Sequence, residues 1–222
     1  MKSNVTLENI SDGKIYELND MVKADAQGCD GCSACCHGVG DFVVLNPFDV
    51  YTLRAHLNQT FDELLVDHLT LVEENKLTMP HLAMKGESER CSFLNEEDRC
   101  TVHAHRPDIC RLFPLGRVYE NDDFSFFLQV GACTKPKLAK VKVKKWIGIA
   151  DYSKNKDFIL EWYRLIKALR FRVKFIHTDE ELREVNDYLL DMFYRIQVTE
   201  ESDFYSVFYK QLPIAKERLG II

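Results

Sequence analysis

Apolar positions along the chain fall into short runs before about residue 150 and into long helical stripes after it. Residues 1–27 carry no sustained apolar period and read as an irregular leader, with an edge segment around Lys14–Leu18. Asp41–Leu45 (DFVVL) reads as a short apolar strand. Asn46-Pro47 then supplies an N-cap and a proline at the first helical position, and Phe48, Val50, Tyr51, Leu53 and Leu57 continue at helical spacing. Thr60 followed by Glu63 forms a capping-box pattern, which predicts a second helix carrying Phe61, Leu64, Leu65, Leu69 and Val72. Leu77–Met84 reads as a strand, and Gly116–Glu120 with Asp123–Val130 flank Asn121-Asp122 as a β-hairpin. Past Cys133 three amphipathic stretches, roughly Lys154–Ile176, Asp179–Ile196 and Asp203–Arg218, predict helices. The pattern therefore predicts an α+β protein: a leader over 1–27, a small cysteine-rich core over 28–150, and a cap of about three helices over 151–222.

Composition narrows the class. A chain of 222 residues with 46% hydrophobic, 29% charged and 11% aromatic content is that of a soluble globular protein. No apolar run reaches the roughly 18 residues a membrane-spanning helix needs. The opening segment MKSNVTLENISDGKIYELND has no apolar h-region, which predicts no signal peptide and a cytoplasmic location. Net charge is −6, unevenly placed: Lys135 to Lys174 hold thirteen Lys or Arg against three acids, a local +10 that leaves −16 elsewhere. Such a stretch is a solvated helical face or a surface for an anionic partner.

The cysteines change the picture most. Cys29, Cys32, Cys35 and Cys36 fall within eight residues, and Cys91, Cys100, Cys110 and Cys133 follow. In a reducing compartment eight cysteines point to metal ligation or redox chemistry rather than to disulfides. C-x-x-C spacing lets two sulfurs from one turn reach one ion, and the interleaved Gly28 and Gly31 let the backbone turn tightly. Cys29, Cys32 and Cys35 with a distant fourth cysteine, such as Cys110, have the three-plus-one form of an iron–sulfur site; four thiolates suit zinc as well. The triple spacing favours iron–sulfur. Cys35 and Cys36 are adjacent, so their side chains are expected to diverge, one of them packing as a buried thiol. Cys133 is a ligand or a core residue.

His37, His103 and His105 lie beside these groups and read as surface or core residues before ligands. Arg106, Arg111 and Arg117 surround Cys110; they would offset thiolate charge or hold a carboxylate, while Arg106 could equally anchor the turn before Pro107. The chain contains no G-x-G-x-x-G, no G-x-x-x-x-G-K and no H-E-x-x-H, so nothing in it points to nucleotide hydrolysis or zincin proteolysis.

The blocks CDGCSACC, CSFL and RPDICRLFP, in that order, resemble the C-x-x-C-x-x-C-C (YkgJ-like) cysteine-cluster family of zinc- or iron-chelating proteins. The segment Cys100-Thr-Val-His103-Ala-His105-Arg106-Pro107 fits that family's C-x-[IV]-[YH]-x-x-R-P pattern, and the match spans about residues 28–133. The resemblance implies a four-iron, four-sulfur cluster or zinc, with Cys29, Cys32, Cys35, Cys36, Cys91, Cys100 and Cys110 as ligands. Arg106 and Arg111 are the cofactor-binding candidates beside them. Some family members are linked to flagellin lysine N-methylation, which implies S-adenosylmethionine as a second cofactor. This chain departs from that chemistry, because it has neither a C-x-x-x-C-x-x-C triad nor a Rossmann-type glycine loop.

Three functions are compatible with these residues. One is an iron–sulfur protein acting in electron transfer or in cluster-assisted modification of a protein side chain. Another is a zinc-stabilised binding module whose basic stretch KPKLAKVKVKK (Lys135–Lys145) meets an anionic partner. The third is a metal store or chaperone. Only Trp146 accompanies the basic stretch as a stacking aromatic, which weighs against nucleic acid and leaves a protein as the expected partner.

Overall fold

The computed structural model describes residues 6–26, 29, 32–198 and 202–221. Gly28 and Gly31 of the cysteine loop lie outside the described residues. In chain order the elements are α1 (Leu7–Ile10), β1 (Ser11–Tyr16), β2 (Met21–Asp25), α2 (Pro47–Leu57), α3 (Phe61–Asp67), β3 (Leu69–Glu74) and β4 (Leu77–Leu82). There follow β5 (Met84–Lys85), β6 (Arg90–Cys91), α4 (Asp108–Leu112), β7 (Leu115–Glu120), β8 (Asp123–Gln129) and β9 (Ala139–Lys142). The chain ends in α5 (Val143–Ile147), α6 (Tyr152–Arg172), α7 (Asp179–Tyr194) and α8 (Phe204–Arg218). This is an α+β fold. Its strands form one three-stranded sheet, β1-β8-β7, and three two-stranded ones, β2-β9, β3-β4 and β5-β6. No helix among the described residues is long and apolar enough to cross a membrane.

The locally coded elements form as their sequences dictate. Asn46 accepts from the Asp49 amide and the Asp49 carboxylate accepts from the Asn46 amide, so α2 opens on a complete capping box with Pro47 behind it. Thr60 and Glu63 do the same for α3. Asn121 and Asp122 both take positive φ (50° and 60°), the conformation a two-residue hairpin between β7 and β8 requires.

Three expectations are corrected. The α3 helix stops at Asp67, and Leu69 and Val72 lie on β3. There the Asn75-Lys76 turn, positive in φ at both residues, closes a six-pair antiparallel register with β4 that outweighs the helical spacing. Asp41–Leu45 is not a strand: a 3-10 turn over Gly40–Phe42 is followed by the single bridge Val44–His81. Val43 and Leu45 nonetheless bury their side chains and share backbone hydrogen bonds with Leu82 and Pro80 of β4. The leader is not irregular. β1 pairs with β8 as an edge strand, and β2 pairs with β9 while burying Val22 and Ala24.

The buried apolar residues form one cluster running from Val22 on β2 to Leu219 beyond α8. Phe158, Trp162, Phe193, Phe204 and Phe208 interlock where the three long helices meet. The Tyr194 hydroxyl donates to the Leu45 carbonyl at 2.9 Å, and Arg54 donates to the carbonyls of Tyr194 and Ile196, tying the end of α7 to α2. Asn186 of α7 accepts from the Thr78 amide and donates to the Lys76 carbonyl, so the β3-β4 hairpin is held to the same helix.

Gly116 sits opposite Phe127 in the β7-β8 pair, and the Phe127 ring lies over it so closely that a Cβ would stand 2.4 Å from the ring. Phe127 is buried and cannot swing into solvent. Gly116→Ala is therefore expected to cost about 1–3 kcal/mol by overpacking, read as a lower urea midpoint at unchanged slope.

Candidate metal centre

Four stretches of backbone bring the cysteines together. In the first, the Cys32 amide donates to the Cys29 carbonyl and the Cys36 amide to the Ser33 carbonyl. A 3-10 turn over Ala34–Cys36 follows from these bonds. Cys29 has φ of 59°, a left-handed conformation. His37 bridges Arg90 and the Gly38 amide donates to the Glu89 carbonyl, so the loop is pinned beside the β5-β6 hairpin.

Cys91 and Cys100 come from the second and third stretches. Cys91 ends β6 and is buried, and Cys100 bridges Leu94. Arg90 builds the loop between them: its guanidinium donates to the Asp98 carboxylate at 3.0 Å and to the carbonyls of Leu94 and Asn95. Cys110 lies on α4. The Asp49 carboxylate accepts from the Asp108 amide at 2.8 Å, which fixes the start of α4 against the start of α2. Asp108 in turn pairs bidentately with Arg117 of β7, both side chains being nearly buried. Arg90, Asp49 and Asp108 are thus the positioning residues of the site. Their signals were local, an arginine before Cys91, a capping box and the RPDIC block, and nothing in the sequence linked them to one another.

The result is one cavity of about 620 Å³ lined by seven cysteines, Cys29, Cys32, Cys35, Cys36, Cys91, Cys100 and Cys110. Its remaining wall is largely apolar, with Phe93, Leu94, Val102 and Phe113 among the residues contributing. Cys133 lines a second cavity, while its neighbour Ala132 reaches the first. His37 and His103 line the thiol cavity; His105 instead stacks on His56 at 4.0 Å. Arg106 lines the cavity, donates to His103 Nε2 at 3.1 Å, and keeps a buried Nε without a hydrogen-bond partner among the described residues. Arg111 is not part of the lining; its Nη2 donates to the Ala104 carbonyl. Arg117 is committed to Asp108.

Burial sets most of the thiol chemistry. It pushes Cys110 far above the ordinary thiol range, with the neighbouring Cys91 and Asp49 charges adding to it. Burial also raises Cys29, Cys91 and Cys100, and the Arg106 charge pulls Cys29 and Cys100 back down. Cys35 goes the other way, to about 6, because the Cys36 thiol donates to its sulfur; the same bond drives Cys36 far up. Both side chains line the same cavity. In metal-free protein Cys35 is expected to be alkylated first, its rate rising through pH ~6 as the thiolate forms. Mass spectrometry of partly labelled protein reads this directly, and labelling that begins at Cys29 or Cys100 would contradict it. Burial, and then the Asp108 carboxylate, raise Asp49 to about 7.

The donor set fits a soft or borderline metal by chemistry, since seven sulfurs and two imidazoles face one cavity. Among the described residues no three such groups stand close enough to hold an ion as they are placed, so the sulfurs ring the cavity without closing on one point. The family model CxxCxxCC, described as "Putative zinc- or iron-chelating domain", matches residues 28–144. That is more than half of the chain and includes every cysteine. No curated protein and no solved structure matches the chain.

Proposed function

Because this chain belongs to the CxxCxxCC family, whose domain is zinc- or iron-chelating, we propose that its thiol cavity holds an iron–sulfur cluster serving electron transfer or modification of a protein side chain. The observation that carries this reading is the convergence of seven thiols on one cavity of about 620 Å³. A tetrahedral zinc site is complete with four thiolates at about 2.3 Å. A larger, multi-atom centre makes better use of this space and of the three-plus-one spacing of Cys29, Cys32, Cys35 and Cys110.

Those four cysteines would hold the cluster, with Cys36, Cys91 and Cys100 as the remaining thiols of the wall. When bound, the cluster supplies a one-electron redox centre. The chain's own residues do the rest. Phe93, Leu94 and Val102 keep water from the sulfurs, and low solvent exposure is one of the levers on reduction potential. Arg106 brings a positive charge to an anionic thiolate array. Cys35, the exposed cysteine, marks the side open to solvent and to a partner.

Iron, acid-labile sulfide and zinc, measured with a visible spectrum on protein purified without oxygen, test the reading. Iron matched by sulfide and broad absorption near ~400 nm are expected. Colourless protein carrying stoichiometric zinc would overturn the cluster and make the centre structural.

A further inference from the structure

Beside the thiol cavity lies a second, more open trough of about 560 Å³. Lys23, Lys135 and Lys137 line it, and Leu128, Val130 and Leu138 are its main apolar residues. No acidic side chain among the described residues is in the lining. The strand pairing adds a fourth cation: Lys23 of β2 stands directly opposite Lys140 of β9. Like charges facing each other across a strand pair repel. Lys23, Lys137 and Lys140 are exposed and make no ion pair among the described residues. The acid nearest in register, Asp25, stands opposite Ala139 and outside the lining. The trough and the thiol cavity share a wall. Gln129 lines both, Ala132 faces the thiols, and Cys133 faces the trough.

We propose that this trough docks an acidic, partly apolar peptide segment of a protein partner alongside the thiol cavity. Charge complementarity supplies the first reason: Lys23 and Lys140 face each other across the strand pair, and an anionic partner relieves their repulsion. The apolar residues between them supply the second. Val130 is 63% exposed on the trough, a position suited to a partner's apolar side chain. Among the described residues no aromatic ring and no guanidinium lines the trough, which weighs against the stacking platforms and bidentate forks that nucleic acids engage. A single oxyanion would fill little of it. The inference goes beyond the cluster reading and holds whichever metal the thiols carry.

The test uses the full chain with its metal and a fluorescein-labelled ten-residue peptide of alternating Glu and Leu. Saturable binding is expected, weakening about tenfold or more between roughly 50 and 300 mM salt. The exposed triple variant K23Q/K137Q/K140Q, with an unchanged far-ultraviolet spectrum, is expected to bind about tenfold more weakly, and the matching Lys-to-Arg triple to retain binding. Bound peptide is also expected to slow Cys133 alkylation, because that thiol faces the trough. Equal binding to the Gln triple, equal binding of a Lys-for-Glu peptide, or undiminished Cys133 labelling would overturn the proposal. Displacement of the peptide by inorganic phosphate or an RNA oligonucleotide at lower concentration than by unlabelled peptide would overturn it too, in favour of a phosphate site. Metal analysis of the same samples separates these outcomes from failure of the cluster reading.

Discussion

Cys110→Ser is expected to lower bound metal to less than about a tenth of the wild-type content, while leaving the metal-free protein folded. The hydroxyl is nearly isosteric with the thiol but is not ionised and not soft, so it cannot replace a thiolate on zinc or iron. Cys110 reaches the cavity from α4, the element farthest along the chain to contribute a cysteine to its lining. Burial also makes its thiol costly to ionise without a cation. Metal that ties remote loops contributes to folding, by ~10–16 kcal/mol for structural zinc in small peptides. Loaded wild-type protein should therefore melt well above the variant, and the two should converge after chelation. Metal content by mass spectrometry against protein concentration is the primary readout. Full metal in Cys110→Ser together with loss in Cys133→Ser would move the closing ligand to the other cavity.

Arg117→Met is expected to destabilise the fold by about 3–5 kcal/mol, the usual cost of removing one partner from a buried ion pair. The geometry makes this site more exacting than most. Arg117 faces Asp108 with two hydrogen bonds, its guanidinium lies 4.8 Å over the Phe124 ring, and Asp49 stands behind Asp108. Removing the cation leaves two acids in a nearly dry interior. The start of α4 hangs on that network, and Cys110 is two residues further on. Metal content should fall along with the stability of the metal-free protein, whereas in Cys110→Ser the metal-free stability is unchanged. Urea unfolding of metal-free protein isolates the stability term, and a loss below ~1 kcal/mol would show that the pair is dispensable.

The parts of this protein legible in its sequence are those whose causes lie within a few residues of each other. Asn46 with Asp49 and Thr60 with Glu63 start helices through hydrogen bonds only three residues long. Asn121-Asp122 closes a hairpin because both residues tolerate positive φ, and the long apolar stripes after residue 150 become α6, α7 and α8. The three cysteine blocks, in their order, carry the resemblance that named seven cysteines, and those seven line one cavity. What tertiary structure alone decided depends on partners far away in sequence. Leu69 and Val72 left the helix because β4 offered a full register. The segment before the cysteines became two strands because β8 and β9, more than a hundred residues on, were there to pair with it. Ala132 lines the thiol cavity and Cys133 the neighbouring trough, and Arg111 turns to the Ala104 carbonyl while Arg106 faces the thiols. Spacing cannot encode such choices, since side-chain direction is set by which backbone packs behind it.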